Sequence, residues 1–497
     1  MKKTILFLLI TIFTNAQWSI STSERNALIS IYNQTDGANW SQSWDLEKDP
    51  YYWYGVKTSN GTVTELKLNG NLLKGNFPTS VFSLTNLKKL DLSSNKLHGE
   101  IPNLSSLSNL TYLNLSNNDF TGDVWSSYSN LPNLEEIYVG HNNCNISNTD
   151  FSGFSGLKSL DISKLNLTEI PASLGSLQKL SSLNVSNNAI VSFSNLSSLN
   201  QLQELNLANN NLNKVPSEII NFISLKSLDL SNNIITDFSS LSNLINLEWL
   251  SLENNSLQNI PNQVSNLQKL IHLNLGRNKI NGSTSILGTL NHLQQLWLNH
   301  NKLSGNIPQD LLALPNLMCL SLQSNELEGT IPNNIPQICN ISNNRFSKTQ
   351  IENYLNTNSN NTDFVYSPQR YDSPKVIKAN LNSSTSLDQA LSTSDGYSFT
   401  WLKTLDKNTY INSENLSISS VKETDFDIYT CEAIFIKNDT LYNIYFSDYR
   451  EPITLEKDET LSTENPENRI IAIYPNPTKD FLYIKNQNYK RQTVEES

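Results

Sequence analysis

The stretch that decides the fold is residues 87–95, which read LKKLDLSSN. The same nine-position frame, LxxLxLxxN, returns as LTYLNLSNN at 110–118, LKSLDLSNN at 225–233 and LIHLNLGRN at 270–278. Good copies begin at residues 63, 87, 110, 134, 157, 180, 202, 225, 247, 270, 293 and 317, with a degenerate copy near 336. The good copies are 22 to 24 residues apart, which indicates one structural unit repeated along the chain.

The alternation inside the frame predicts a strand with one apolar side. Leu90 and Leu92 point to one face of such a strand, and Asp91 points to the other. One repeat is too small to bury its own leucines, so the repeats must stack and share a core. The period and the frame are those of leucine-rich repeats. They predict an α/β leucine-rich-repeat solenoid over 63–346, with about thirteen parallel strands on its concave face.

The leucines and asparagines of the frame have separate predicted roles. The leucines that the frame places inward are expected to be buried, among them Leu90, Leu113, Leu228 and Leu273. The asparagine at the ninth position is expected to bond backbone groups that the turn would otherwise leave unpaired and buried. Repeat five has Leu165 at this position. The end repeats also carry GxIP-type segments, at Gly75, Gly99, Gly305 and Gly329, which resemble plant-type repeats.

The N-terminal residues predict export followed by a cap. Residues 1–16 combine two lysines, an apolar run and a small-residue site, which is typical of a secretory signal peptide. Residues 17–62 are expected to cap the solenoid, with a capping box between Ser21 and Glu24 and a short amphipathic helix. The segments TDGANW at 35–40 and WYGV at 53–56 resemble the N-terminal cap of extracellular leucine-rich-repeat proteins. Their aromatics are interpreted as packing residues.

The pattern changes period after the repeats. Residues 347–371 predict a closing helix and a polar, turn-rich exit, and 372–456 show short alternating runs that predict an all-β sandwich. Trp401 followed by DFDIYTC at 425–431 resembles the core tryptophan and tyrosine corner of an immunoglobulin-like domain. The upstream cysteine of that pattern is absent. Trp401, Tyr429 and Cys431 are therefore expected to share one core without a disulfide.

The C-terminal end carries a short motif of its own. Residues 457–469 form an acid-rich linker, and YPNPTKDFLYI follows at 474–484. This motif resembles the start of the C-terminal sorting domain of the bacterial type IX secretion system. The resemblance implies a partial sorting domain over 470–497, handling by that system, and a place outside the cell or on its outer surface.

Composition and motifs argue against several functions. The chain has 46 acidic and 35 basic residues, a net charge of −11 and a pI near 5.1, which disfavours nucleic acid and anionic membranes as partners. No stretch after the signal reads as a transmembrane helix, and no catalytic, cofactor or metal motif is recognisable. The four cysteines are interpreted as core residues or free thiols, with Cys144 in a loop, Cys319 on the concave face and Cys339 inward.

The informative residues are those at the outward strand positions. Most are small and polar, but two aromatic and charged groups stand out. The first is Trp249, Glu253, His272, Arg277, Gln295, Trp297 and His300, and the second is Tyr112, Glu136, Tyr138 and His141. With strands about 4.8 Å apart, the two tryptophans are expected to lie roughly 10 Å from each other. Exposed aromatic residues and arginine on a rigid sheet are typical of interface hot spots.

Together these features predict a non-catalytic extracellular recognition protein. Its ligand would be a protein bound on the concave face, as in adhesion or contact with a host cell surface. The alternative is a glycan that stacks on the exposed tryptophans and tyrosines of the same face. The sequence does not separate these two ligand classes.

Overall fold

The computed structural model describes residues 19–123, 131, 133–147, 149–193, 196–358, 361, 363–404, 410–438, 443–458, 472–475 and 482–485. They form two compact units: Met1–Asn255 with Asn266–Leu270, and Ser256–Ser265 with Ile271–Ser497. The predicted signal peptide, most of the acidic linker and most of the sorting motif lie outside the described residues.

The repeats form strands joined by short helical turns. The α-helices are α1 (Thr22–Gln34), α2 (Gln309–Leu312) and α3 (Lys348–Thr357). The 3-10 helices are Gly37–Asn39, Pro50–Tyr52, Thr79–Ser83, Phe151–Gly153, Ala172–Ser176, Ser217–Asn221, Ser239–Asn243, Asn262–Asn266, Ser285–Thr289, Thr393–Asp395 and Glu423–Asp425.

The strands of the first unit are β1 (Val56–Ser59), β2 (Thr62–Lys67), β3 (Lys74–Asn76), β4 (Lys89–Asp91), β5 (Lys96–Glu100), β6 (Tyr112–Asn114), β7 (Asp119–Asp123), β8 (Glu136–Tyr138), β9 (Asn143–Asn145), β10 (Ser159–Asp161), β11 (Ser182–Asn184), β12 (Glu204–Asn206), β13 (Ser227–Asp229) and β14 (Trp249–Ser251). The frame strands β2, β4, β6, β8 and β10 to β14 pair in parallel in that order, and β1 adds antiparallel to β2.

The strands of the second unit are β15 (His272–Asn274), β16 (Gln295–Trp297), β17 (Ser304–Gly305), β18 (Cys319–Ser321), β19 (Glu326–Leu327), β20 (Ile338–Asn340), β21 (Phe364–Val365), β22 (Gln369–Tyr371), β23 (Lys375–Ala379), β24 (Thr385–Leu387), β25 (Tyr397–Lys403), β26 (Tyr410–Ile411), β27 (Leu416–Ile418), β28 (Ile428–Asn438), β29 (Asn443–Arg450), β30 (Ile453–Lys457), β31 (Ala472–Pro475) and β32 (Leu482–Lys485). Here β15, β16, β18, β20 and β21 pair in parallel.

The predicted leucine-rich repeats are confirmed. Each of the thirteen predicted copies contributes a described strand. Leu90, Leu228 and Leu273 have no exposed surface, and Leu113 is only 2% exposed. Neighbouring repeats therefore close one another's apolar face, and each strand turns its middle residue into that core.

The asparagine prediction is also confirmed by the hydrogen bonds. The side-chain amide of Asn95 donates to the carbonyls of Leu68 and Leu92, at 2.9 and 3.0 Å. Its oxygen accepts the backbone N–H groups of Asn71 and Leu73, at 3.0 and 2.9 Å. One half-buried amide thus satisfies backbone groups of two consecutive repeats, which would otherwise be costly to bury.

Repeat five supplies no amide to the ladder, because Leu165 stands at the asparagine position, and the ladder ends outside the frame. Leu165 is buried, and its N–H is accepted by Asn188 of the next repeat at 3.0 Å. After the last repeat, Gln369 takes the same role from β22. Its oxygen accepts the N–H groups of Asn344 and Phe346, both at 3.2 Å, and its amide donates to the carbonyl of Ile341 at 3.0 Å.

Several expectations for the repeats and their ends need correction. Cys144 lies in β9 and is buried, not in a loop, because β3, β5, β7 and β9 form a second parallel sheet that the frame does not report. The box between Ser21 and Glu24 is only half formed. Ser21 accepts the N–H of Glu24 at 3.2 Å, but the Glu24 carboxylate accepts the N–H of Val63 instead. The predicted irregular exit contains β21 and β22.

The N-terminal aromatics pack as predicted. Trp40, Trp44 and Trp53 are each no more than 5% exposed. The Trp44 and Trp53 rings stack with their centroids 4.8 Å apart, and Trp40 meets Trp44 edge-on at 5.0 Å. These rings fill the cap beside α1, which explains their presence without a ligand.

The strands after the repeats form a further sheet. Its path is β22-β29-β28-β25-β26, with β30 on β28 and β23 on β30, while β24 and β27 pair separately. Trp401 pairs in register with Cys431, and both are buried with Tyr429. The Tyr429 hydroxyl donates to the Asp425 carbonyl at 2.8 Å. All four cysteines are free thiols, and that of Cys431 is fully buried.

Candidate ligand-binding surface

The strands of the frame present two outward side chains each, on either side of the inward leucine. From β6 to β14 these outward residues are Tyr112, Asn114, Glu136, Tyr138, Ser159, Asp161, Ser182, Asn184, Glu204, Asn206, Ser227, Asp229, Trp249 and Ser251. The backbone hydrogen bonds of the sheet fix the spacing of these groups before any ligand arrives. The cost of ordering them on binding is therefore small.

Two tyrosines form the best-defined feature of this face. Strands β6 and β8 place Tyr112 opposite Glu136 and Asn114 opposite Tyr138, so the two rings meet diagonally. Their centroids are 5.6 Å apart with 45° between the ring planes. The Tyr138 hydroxyl donates to the Glu136 carboxylate at 2.8 Å, which holds that ring in place. We call Tyr112, Glu136 and Tyr138 the tyrosine shelf.

Charged neighbours hold the shelf from the side of β4. The ammonium of Lys89 lies 5.9 Å from the centre of the Tyr112 ring, within reach of a cation–π contact. The Tyr112 hydroxyl donates to Asp91 at 3.5 Å, a long contact, and receives the amide of Asn114 at 3.3 Å. The ring of Tyr112 is therefore half-buried, and its edge is fixed by polar partners.

Burial keeps both phenols neutral. It raises the pKa of Tyr138 to about 12, assisted by the adjacent Glu136 carboxylate, and it raises the pKa of Tyr112 in the same direction. Both hydroxyls therefore stay protonated across the physiological range. The shelf offers a ligand two uncharged rings and their polar edges rather than a phenolate nucleophile.

A polar depression lies further along the same sheet. It has a volume of about 380 Å³ and is lined by side chains of β11 to β14, with Trp249 at one side. Ser182 donates to Glu204 at 3.0 Å, and Asn184 donates to Asp161 at 3.0 Å. Trp249 pairs in register with Ser227 and is half-buried, so its ring flanks a floor of small polar groups.

The remaining predicted residues occupy the turns and the second unit. His141 and Glu253 belong to the first unit, where His141 is held in a left-handed turn with φ of 57°. In the second unit, His272 lies opposite Gln295, and Trp297 follows on the same strand as Gln295. Arg277 and His300 take left-handed turns with φ of 53° and 54°.

Residues of the larger predicted patch belong to both units. Trp249 and Glu253 belong to one unit, and His272, Arg277, Gln295, Trp297 and His300 belong to the other. The roughly 10 Å separation of the two tryptophans stays a prediction. The smaller patch is brought together at Tyr112, Glu136 and Tyr138, within one unit.

Four carboxylates were missed as candidate site residues on this face: Asp91, Asp161, Glu204 and Asp229. Each sits at an outward strand position, so the period of the frame could have located them. They were overlooked because single acidic residues on a solvated sheet are common. The hydrogen bonds of Asp91 and Asp161 to neighbouring strands mark them as part of the surface.

Within the described ranges, no group of three or more histidine, cysteine, aspartate or glutamate side chains is arranged to hold a metal ion. Among the described helices, none combines the length and the apolar character needed to cross a bilayer.

Comparison with known proteins agrees with the repeat architecture. Family models described as leucine-rich repeats match residues 85–124, 155–212, 200–257 and 292–314. A probable inactive receptor kinase of Arabidopsis thaliana is 37% identical over 90 residues, which is 18% of this chain and 13% of that protein. Receptor-like protein 35 of the same organism is 42% identical over 73 residues, 14% of this chain and 8% of that protein. The chain thus spans only a small part of these curated relatives.

Solved structures show the same kind of likeness. The PEPR1–AtPEP1 crystal structure is 23% identical, with 72% of this chain and 56% of that chain covered and a TM-score of 0.50. An internalin, InlF of Listeria monocytogenes, is 32% identical, with 55% of this chain and 86% of that chain covered and a TM-score of 0.44. The family-model matches and the PEPR1–AtPEP1 fold support leucine-rich repeats with a parallel sheet as the architecture of this part of the chain.

Proposed function

We propose that this protein is a non-catalytic, extracellular recognition protein that binds a protein partner through the outward face of its repeat strands. The observation that carries the proposal is the tyrosine shelf. Two neutral aromatic rings stand 5.6 Å apart on rigid strands, each half-buried and tied by hydrogen bonds to an acidic neighbour. Aromatic groups fixed in this way dominate affinity at protein interfaces because little freedom is lost on binding.

The proposed contact residues extend beyond the shelf. In the first unit they include His141, Trp249 and Glu253, and in the second unit His272, Arg277, Gln295, Trp297 and His300. Curated relatives of the repeat segments are named as receptor kinases and a receptor-like protein, which agrees with a role in recognition.

Two further parts of the proposal concern location and the strands after the repeats. The segment at 1–16 and the motif at 474–484 support secretion to the outer surface, with type IX handling as the route. We assign 372–456 as an immunoglobulin-like domain, because Trp401 and Cys431 pair in one buried core and the Tyr429 hydroxyl bonds a backbone carbonyl four residues upstream. It would space or assist the repeats.

A glycan is the second candidate ligand. The depression beside Trp249 favours it, because serine, asparagine and carboxylate groups can bond sugar hydroxyls while the indole ring stacks on a sugar face. The depression is small and polar, as a monosaccharide subsite would be.

One experiment separates the two ligand classes. The full chain is immobilised and challenged with a displayed protein library and, in parallel, with a glycan array. The proposal expects library members that bind the native chain and are lost with the Tyr112→Ala/Tyr138→Ala double variant. Binding to glycans alone, abolished by Trp249→Ala, would replace the protein partner with a sugar. Library members that bind both variants as well as they bind the native chain would refute the proposed site.

A further inference from the structure

From β6 to β14 the outward face of the first unit is one-sided in charge, whereas Lys67 and Lys89 lie on the preceding strands β2 and β4. Among the fourteen described outward positions from β6 to β14, four are carboxylates and none is lysine or arginine. The carboxylates are Glu136, Asp161, Glu204 and Asp229. They recur on β8, β10, β12 and β13, so the negative charge runs across the sheet along the repeats.

From β8 to β14 the nearby cations lie at the rim of the sheet, and two of them are paired with carboxylates. Lys158 pairs with Glu135 at 2.9 Å, and Lys226 pairs with Glu248 at 3.4 Å, in each case just before a strand begins. Lys164 lies on the opposite rim, in a left-handed turn after β10. The middle of the face therefore keeps its negative charge, and clefts lined by one sign of charge attract ligands of the other sign.

Aromatic rings stand at both ends of this acidic track. Tyr138 begins it on β8, and Trp249 ends it on β14. The five steps between these strands, at about 4.8 Å each, give a length of roughly 24 Å. An extended polypeptide rises about 3.3 Å per residue, so about seven residues would cover the track.

We propose that the occupant of this face is an extended, arginine-bearing segment of the protein partner. The inference rests on the proposed function and names the partner's chemistry. A guanidinium group matches both parts of the surface, because it binds carboxylates through two parallel N–H bonds and stacks on aromatic faces. A lysine ammonium group makes both contacts less well than a guanidinium group. Glu204 and Asp229, on adjacent strands beside Trp249, would hold one such side chain in the depression.

The test uses a peptide of stated composition. A fluorescein-labelled nonapeptide that alternates arginine with glycine and serine is titrated with the full chain and followed by fluorescence anisotropy. The comparison peptides carry citrulline, lysine or glutamate in place of arginine. The citrulline peptide is expected to bind at least about tenfold more weakly than the arginine peptide. The affinity of the lysine peptide should lie between those two, and the glutamate peptide should not bind.

Two double variants assign the effect to the face. Glu204→Gln/Asp229→Asn removes two charges from the track and is expected to weaken binding of the arginine peptide at least about tenfold. Glu169→Gln/Glu218→Gln removes two charges of the same unit away from the strands, one exposed and one half-buried, and is expected to change the affinity less than twofold. Equal losses from both pairs, or equal binding of the arginine and citrulline peptides, would overturn the inference.

The proposed function fails by a different result. If library partners depend on Tyr112 and Tyr138 but carry no arginine, and Glu204→Gln/Asp229→Asn leaves them bound, only this inference falls. If no library partner depends on the tyrosine shelf, the proposed function falls, whatever the peptide does.

Discussion

The two units share one repeat frame and differ in the residues that their strands turn outward. From β6 to β14 the first unit presents four carboxylates and a pair of contacting tyrosines. The second unit presents no carboxylate at the eight corresponding described positions. These positions are His272, Asn274, Gln295, Trp297, Cys319, Ser321, Ile338 and Asn340. Inward positions are constrained by packing in both units, whereas outward positions are not, so the two faces can differ without disturbing the core.

The largest expected effect should be the same in both units. Leu228→Asp in the first unit and Leu273→Asp in the second each place an unpaired charge in a core position with no exposed surface. Each is expected to lower the free energy of unfolding by more than about 4 kcal/mol, the range of the most damaging substitutions. Urea unfolding measures this change in the free energy of unfolding. The outward control Ser227→Asp should cost less than about 1 kcal/mol, and a comparable loss there would contradict the frame.

A large pH effect is expected in the second unit. Asp448 is buried, and burial raises its pKa to about 7, although the Tyr397 hydroxyl donates to it at 3.0 Å and Lys348 of α3 partly offsets the rise. Because the folded form holds the proton more tightly than the unfolded form, this stabilisation is present below pH 4 and is lost as pH rises through 7. At about 1.4 kcal/mol per unit of pKa, the loss is roughly 4 kcal/mol.

Hydrogen exchange from pH 4 to 8 would measure this effect. Protection of β25 and β28 should fall with rising pH in the native chain and much less in Asp448→Asn. Strands β11 to β13 of the first unit serve as the internal control. A pH response that survives in Asp448→Asn would assign the effect to other groups.

The last rung of the amide ladder gives a smaller effect. Gln369 is fully buried and bonds four backbone groups, those of Ile341, Asn344, Phe346 and Tyr366, so Gln369→Ala leaves donors and acceptors unpaired. The expected loss of stability is about 1–3 kcal/mol, similar to that for Asn95→Ala in the first unit. Thermal unfolding would compare the two, with exposed Gln201→Ala as a control. A neutral Gln369→Ala would show that the repeats end at Asn344.

The inward half of this structure was predictable from sequence and the outward half only in part. Leucines and asparagines recur at fixed spacing, so Leu228 and Asn95 could be placed by period alone. The role of Gln369 could not be predicted in this way, because Gln369 follows a segment that lacks the frame. Its hydrogen bonds depend on the position of β22 beside the last repeat. Cys144 was misplaced because it stands two residues after the asparagine, outside the nine-position frame, where the preceding repeats have the buried residues Leu97 and Phe120.

The candidate site shows the same limit. Strand register predicts that Tyr112 and Tyr138 are neighbours, but the hydroxyl–carboxylate bond between Tyr138 and Glu136 depends on side-chain rotamers, which the frame does not report. The larger predicted patch joined residues that fall into different units. Outward charge could be read from the sequence, and its alignment across β8 to β13 became clear only with the strand pairing.

If the protein functions as proposed, its protein partner binds mainly to the outward face of the first unit. The direct test is the affinity of one selected protein partner for the native chain, Tyr112→Ala/Tyr138→Ala and Trp297→Ala, measured by calorimetry on folded proteins. The tyrosine pair is expected to cost about 2 kcal/mol, or roughly 30-fold in Kd, as hot-spot residues do, and Trp297→Ala considerably less. Unchanged affinity after loss of both tyrosines, with a large loss from Trp297→Ala, would contradict the account and place recognition in the second unit.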